Sequence, residues 1–335
     1  MELRPGYKQT EMRVIPEDWE IATIQELLDR GAVVGHLDGN HGELYPRSHE
    51  FKESGVPYIT ANDLCGRKVS FRNCKYLSKE RASRFRKGVA RNGDVLFAHN
   101  ATVGPTALLS TELDSVILST TATYFRCNQD KLINLFLLYA LQSTHFVGQY
   151  QAVMAQSTRN QVPITAQRKL SVALPPTKAE QEAIAEALSD ADALIEALEQ
   201  LIAKKCHIKQ GAMQELLTGK RRLTGSDKAW EIRRLADVCR SITDGTHFTP
   251  HYVESGVPFY SVENVTRDDF VNTKFISENE HFNLIKRCRP ERGDLLLTRI
   301  GDIGKAKLID WDVNASIYVS LALIKLKPEL NAQFV

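Results

Sequence analysis

The sequence predicts an α+β protein: two repeated mixed α/β domains separated by one long helix. Three observations carry this. A set of short motifs recurs in the same order about two hundred positions on, strand-type punctuation surrounds each recurrence, and an unbroken helical pattern lies between the copies. The chain has 335 residues, more than one compact core usually serves, so about two domains is also the expectation from length.

The repeat opens at Trp19-Glu20-Ile21, answered by Trp230-Glu231-Ile232. Asp38-Gly39-Asn40-His41 is answered by Asp244-Gly245-Thr246-His247, each followed by a proline, Pro46 and Pro250. ESGVPYITANDL, residues 53 to 64, returns as ESGVPFYSVENV, residues 254 to 265. KYLS at 75–78 matches KFIS at 274–277, and RNGDVLF at 91–97 matches ERGDLLL at 291–297. The offsets run from 199, for KYLS and KFIS, to 211, for the Trp-Glu-Ile pair. Loop insertions between equivalent strands produce drift of that size.

Within a copy the signals are mainly β. Gly55-Val56-Pro57-Tyr58-Ile59, Gly93 to Phe97 and Gly293 to Leu297 each read as a turn feeding an apolar strand. Residues 115–125, rich in Thr, Val and Ile, read as one strand. Helical pattern is expected over 79–87 and 131–150. Residues 1–173 form the first domain on this reading, 174–222 the spacer helix, and 223–335 a second, incomplete domain; a full repeat, counted with a second spacer helix of its own, would need roughly 85 to 100 residues more.

In the spacer, Thr177 and Glu180 predict a capping box after Pro175-Pro176, and Gly219 followed by Lys220-Arg221-Arg222 predicts the stop. Ile184, Leu188, Ala191, Ile195, Leu198 and Ile202 recur at a/d spacing. About 38 residues at 1.5 Å each extend roughly 57 Å, enough to hold two domains apart. Nothing in the chain offers this seam an obvious partner, so self-association through it is one expectation; a helix packed wholly into one core is the alternative.

Composition is that of an ordinary folded protein, 43% hydrophobic and 25% charged with formal charge +2. The first twenty residues carry no apolar block, and the longest apolar run, Ile133 to Leu141, is far too short for a bilayer, so no membrane association and a cytoplasmic location are expected. The six cysteines stand singly without a CxxC pair, which argues against a zinc ribbon or a disulfide framework.

Charge is concentrated locally. Residues 67–91 hold ten Lys or Arg and one acid, Glu80, with Phe71, Tyr76 and Phe85 interleaved. Such a face neutralises phosphates and gives salt-sensitive affinity for nucleic acid; a solvated helix face without a ligand is the alternative. Lys286, Arg287, Arg289, Arg292 and Arg299 form a thinner echo. The Asp-Gly-x-His pair suggests a metal-dependent nuclease or hydrolase built on Asp38/His41 and Asp244/His247, but further ligands at characteristic spacing are missing and Asp-Gly is itself a strong turn signal. A coiled-coil adaptor without nucleic acid is a third reading. No phosphate loop, no GxGxxG and no methyltransferase tetrapeptide at LPPT, residues 174–177, is present, so the chain is expected to bind rather than to catalyse, with no metal of its own.

Residues 6–27, GYKQTEMRVIPEDWEIATIQEL, residues 157–188, STRNQVPITAQRKLSVALPPTKAEQEAIAEAL, and DGTHFTP at 244–250 resemble the specificity subunits of type I restriction-modification systems. The resemblance covers the whole chain. It implies two target-recognition domains that each read half of a split double-stranded DNA target, separated by conserved helices forming an antiparallel coiled coil whose length sets the unread spacer. It implies docking of modification subunits on the helix and association of a restriction subunit. It also implies no cofactor in this chain, with S-adenosylmethionine, ATP and Mg on those partners. The sequence departs from the pattern in lacking the second conserved helix. Thr60 and Asn62, and Ser261, Glu263 and Asn264, are the expected base readers, just after the repeated strand. Arg47, Arg84, Arg86, Lys286 and Arg289 are expected on phosphates, and His247 beside the DNA backbone.

Overall fold

The structure, a computed structural model, describes residues 5–10, 14–39, 44–225 and 230–335. The chain divides into two compact units, Met1–Gln210 and Gly211–Val335, a division that falls within the long helix Lys178–Leu217.

The first unit contains β1 (Val33–Asp38), β2 (Phe51–Lys52), β3 (Val56–Ile59), β4 (Lys75–Leu77), β5 (Val95–Ala98), β6 (Thr106–Leu108), β7 (Val116–Leu118) and β8 (Ala122–Cys127). They form two sheets, ordered β1-β8-β5-β6 and β7-β3-β4-β2. Short strands Arg67–Val69 and Leu64–Cys65 extend the first beyond β6, and Val89–Ala90 extends the second beyond β7. The second unit contains β9 (Cys239–Asp244), β10 (Tyr252–Val253), β11 (Val257–Tyr260), β12 (Lys274–Ile276), β13 (Leu295–Thr298), β14 (Ala306–Leu308), β15 (Ser316–Ile317) and β16 (Leu321–Leu326). Its sheets are ordered β9-β16-β13-β14 and β15-β11-β12-β10, so each strand answers the one eight places earlier.

Register repeats as well. Val95 faces Phe125 and Leu108 as Leu295 faces Ile324 and Leu308. The parallel pair β3·β7 matches Ile59 to Leu118 as β11·β15 matches Tyr260 to Ile317. A shared local motif would not reproduce strand order and register, so the sequence repeat is a repeated domain.

The repeated Gly-Asp shows why. Gly93 and Gly293 take φ of 85° and 93°, a conformation that favours glycine. Buried Asp94 accepts from the Arg91 N–H at 2.8 Å and pairs with Arg126 on β8 at 2.7 and 2.9 Å. Asp294 accepts from the Glu291 N–H at 2.8 Å and pairs with Lys325 on β16 at 2.5 Å. The strand that follows is buried on both faces. Val95 and Phe97 enter one apolar core, Leu96 and Ala98 another, which explains a continuous apolar run rather than an alternating one.

Helices Asn134–Ala140 and Thr144–Ala155, with Glu20–Thr23 paired to Ser171–Leu174, surround the Val95 and Phe97 face. No counterpart of these elements lies among the described residues of the second unit, where Trp230 and Ile232 are exposed and outside any strand.

Several local expectations are corrected. Residues 115–125 are two strands, because the Ser119–Thr121 link carries the chain from one sheet to the other. The helix expected over 79–87 covers only Lys79–Ala82; Phe85 turns into the apolar core beside Tyr58 and Leu77, and Gly88 has φ of 63°. The 131–150 helix is two, restarted where Ser143 Oγ accepts from the Phe146 N–H at 3.2 Å. At the long helix only half of the capping box forms. Thr177 Oγ1 accepts from the Glu180 N–H at 3.2 Å, while the Glu180 carboxylate instead accepts from Trp19 Nε1 at 3.0 Å. The stop is as expected, with Gly219 at φ of 72°. All six cysteines are free thiols.

Candidate nucleic-acid interface

The segment after the repeated strand is anchored identically in both units and then diverges. In the first, Thr60 donates from both its N–H (2.8 Å) and Oγ1 (2.7 Å) to Asp63 Oδ2, and the Ala61 N–H donates to Thr121 Oγ1 at 2.9 Å. In the second, the Ser261 N–H donates to Asn264 Oδ1 at 2.9 Å and the Val262 N–H to Ser320 Oγ at 3.1 Å. Thr121 and Ser320 occupy equivalent links between sheets. Past this anchor the first unit folds back as Leu64–Cys65 and Arg67–Val69, turning through Gly66 and Arg67 at φ of 54° and 68°. The second forms the helix Val262–Arg267, ended by Asp268 at φ of 52°.

Of the expected base readers, Asn62 and Glu263 are exposed, Thr60 and Ser261 half-buried. Asn264 is a structural residue in this fold: it is buried, its Oδ1 accepts from Ser261 and its Nδ2 donates to the Asp269 carbonyl at 2.9 Å. Among the expected phosphate contacts, Arg47 and Arg86 are exposed and make no ion pair among the described residues, whereas Arg84 pairs with Glu80 at 2.6 Å. Lys286 donates to Asn283 Oδ1 at 3.0 Å, and Arg289 stands 4.0 Å from Glu291.

The basic run is less free than its sequence suggests. Arg67 pairs with Asp192 at 2.7 Å and Lys68 with Glu196 at 3.2 Å, both acids on the long helix. Tyr139 also donates to Asp192, at 2.7 Å. Arg81 is mostly buried on Glu50 at 2.5 Å. Arg72, Lys75, Lys79, Arg86 and Arg91 are exposed and make no ion pair among the described residues, so part of the run's positive charge stays at the surface.

The long helix docks on the first unit along Gln181, Ala185, Asp192 and Glu196; buried Gln181 accepts from the Ile133 N–H at 3.0 Å. Ile184, placed on the free seam by its spacing, instead packs partly buried against that unit's core. Leu188, Ala191, Ile195, Leu198 and Ile202 lie about a quarter-turn away at 100° per residue and are exposed, Ile195 by 54% and Ile202 by 62%. A soluble helix rarely leaves such a stripe bare unless another surface covers it.

In the second unit, β9 ends on Asp244, whose carboxylate accepts from Arg287, from Arg299 and from His247 Nε2 at 3.0 Å. Burial pushes its pKa up, but Arg299, His247 and Arg287 outweigh that and hold it below the ordinary carboxylate value. The adjoining Gly245 has no room for a side chain: a Cβ would lie 2.0 Å from the Ile317 carbonyl oxygen, as a Cβ on Gly39 would lie 2.3 Å from that of Leu118. The Asp-Gly pair is thus a packed turn beneath the sheet-to-sheet link in both units. His41 lies outside the described residues. Among the described residues no cluster of His, Cys, Asp and Glu is arranged to hold a metal ion, and no helix is long and apolar enough to cross a membrane.

Comparison with known proteins agrees with this architecture. The profile described as Type I restriction modification DNA specificity domain matches residues 16–204. The type I restriction enzyme MjaVIII specificity subunit of Methanocaldococcus jannaschii is 25% identical over 222 residues, 65% of this chain and 50% of that protein. The chain therefore spans about half the length of the curated relatives it matches. Two solved structures share the fold. One, from work on complex assembly and conformational transition of the type I R-M system, has a TM-score of 0.55 at 20% identity over 95% of this chain and 78% of its own. The other, the type I restriction-modification S subunit of M. genitalium, has a TM-score of 0.54 at 14% identity over 99% and 76%. With its profile match covering more than half of its length, the chain belongs to the type I restriction modification DNA specificity domain family.

Proposed function

We propose that this chain is the DNA-specificity subunit of a type I restriction-modification complex, each unit reading one half of a bipartite target. The observation that carries the reading is the pairing of an invariant frame with a divergent insert. Eight strands recur in order and register, while the segment hung on the Thr121 and Ser320 anchors is a single 3-10 turn, Ala61–Asp63, followed by a β-turn-β in one unit, and the helix Val262–Arg267 in the other. One scaffold presenting two unlike surfaces suits two unlike half-sites.

On this reading the bare stripe from Leu188 to Ile202 receives modification subunits, and the helix length sets the spacing between half-sites. A restriction subunit joins the complex, and S-adenosylmethionine, ATP and Mg act on those partners. The chain itself recognises and does not catalyse. Asn62 and Glu263, exposed at the divergent segments, are the base-reading candidates among those expected, and Arg47, Arg86, Lys286 and Arg289 contact phosphates.

The test is duplex-DNA binding by the full chain across a salt series. Arg86→Glu is expected to weaken binding to every sequence and to lower the slope of log affinity against log salt by about 1. Unchanged affinity and slope would remove Arg86 from the interface, and no DNA binding by the unmodified chain, with or without modification subunits, would remove the proposal.

A further inference from the structure

We propose that Arg299, clamped together with Arg287 on the Asp244 carboxylate, reads a guanine in the half-site bound by the second unit; this rests on the DNA-recognition reading above. Arg287 Nη2 donates to Asp244 Oδ1 and Arg299 Nη1 to Oδ2. The carboxylate is 16% exposed, while the Arg287 and Arg299 side chains are 59% and 45% exposed. One acid facing two guanidinium groups leaves one net positive charge at the surface. Each guanidinium has five N–H donors, and Asp244 takes one from each. Guanine offers two acceptors in the major groove, O6 and N7, at the spacing of a guanidinium fork.

A phosphate offers similar acceptors, and two observations favour the base. The carboxylate repels phosphate, yet it fixes the fork and so reduces the entropy lost on binding, which a directional contact needs more than a charge contact does. The second observation is positional. The Arg299 N–H donates to the Ser320 carbonyl at 2.9 Å as the His99 N–H donates to that of Thr121 at 3.0 Å. The following turns close alike, Gly304 N–H to Thr298 O and Gly104 N–H to Ala98 O, each at 3.0 Å. Arg299 and His99 thus hold the same place in the frame, but His99 is 5% exposed. Both half-sites need phosphate contacts, whereas a place where one unit projects an arginine and the other buries a histidine is where the units can tell bases apart.

The experiment is selection by the full chain from a random duplex library at fixed salt, with modification subunits present and absent. The unmodified chain is expected to select a split motif with a guanine in one half. Arg299→Gln is expected to lose about 10- to 100-fold of preference at that base pair and to favour adenine there, since Gln pairs with adenine N6 and N7. Asp244→Asn, a change at a positioning residue, is expected to weaken preference at the same base pair while every other position holds. If Arg299→Gln lowers the melting temperature, Arg299→Lys decides, because it keeps the ion pair and loses the fork: weakened guanine preference supports the proposal and unchanged preference overturns it. Uniform loss of affinity with the guanine preference intact, or a motif without that guanine, also overturns it. Selection of no motif by the unmodified chain overturns the DNA-recognition reading itself, an outcome distinct from the others.

Discussion

Replacing Gly245 with alanine separates a structural Asp-Gly-x-His turn from a catalytic one. The added Cβ would sit 2.0 Å from the Ile317 carbonyl oxygen and 2.4 Å from its carbon, and both are backbone atoms that no side-chain rotation can move. Relief requires the link between β15 and β16 to retreat by about 1 Å. That link holds the turn by two hydrogen bonds, Thr246 N–H to Ile317 O at 3.1 Å and Val319 N–H to Thr246 O at 3.0 Å. Overpacking of this kind costs about 1–3 kcal/mol, and each buried backbone group left unsatisfied adds about 1–3 kcal/mol. A loss of about 3 kcal/mol is expected, which lowers the transition of a unit this size by roughly 10 °C or more. Calorimetry of the full chain reads it directly. His247→Ala, at a side chain 60% exposed, should move the same transition by no more than about 0.5 kcal/mol. A Gly245→Ala transition within about 2 °C of the unmodified chain would refute the packing argument, and metal-dependent hydrolysis lost in His247→Ala would restore the catalytic one.

Three further outcomes follow from the structure. Asp94→Ala leaves Arg126 without its two-point partner and the Arg91 N–H without its acceptor; urea unfolding should show a loss of about 3 kcal/mol, and a loss under about 1 kcal/mol would remove the pair from the frame. His36 is buried against Phe125, with Nε2 3.0 Å from Gln167 Oε1; burial brings its pKa down from 6.5 to about 4. Between those values the unfolded chain holds a proton that the folded chain does not. Its contribution to stability is therefore complete above about pH 6.5 and falls by about 3 kcal/mol on acidification to pH 4, a dependence that His36→Leu should flatten in urea titrations at pH 4.5 and 7. Ile195→Asp with Leu198→Asp, both at exposed positions, should leave the melting temperature within about 2 °C while abolishing association with modification subunits in size-exclusion chromatography. Retained association would mean the stripe is not the docking surface.

The frame was legible in the sequence because it is built from local grammar. Gly93-Asp94 and Gly293-Asp294 announce the same turn with the same buried strand behind it, and periodicity together with the Thr177 cap and the Gly219 stop located the long helix. The interface was much less legible, because its charges are settled by residues far away in the chain. Arg67 and Lys68 read as free cations until Asp192 and Glu196 arrive from the helix. Arg287 and Arg299 read as scattered until both close on Asp244. Asn264 has the amide that a base reader needs, but the same amide caps its own loop, and sequence cannot distinguish those uses. Helix limits near 79–87 failed for a related reason: burial of Phe85 overrode a local helical preference.

The central claim is that one repeated frame carries two independent readers. It is tested most directly by mapping methylated adenines in DNA exposed to the chain with the modification subunit proposed to dock on it, before and after residues 60–69 are exchanged for those of another family member. The account predicts a split motif in which the exchange rewrites one half and leaves the other half and the spacer length unchanged. A contiguous motif, or an exchange that alters both halves together, would contradict it.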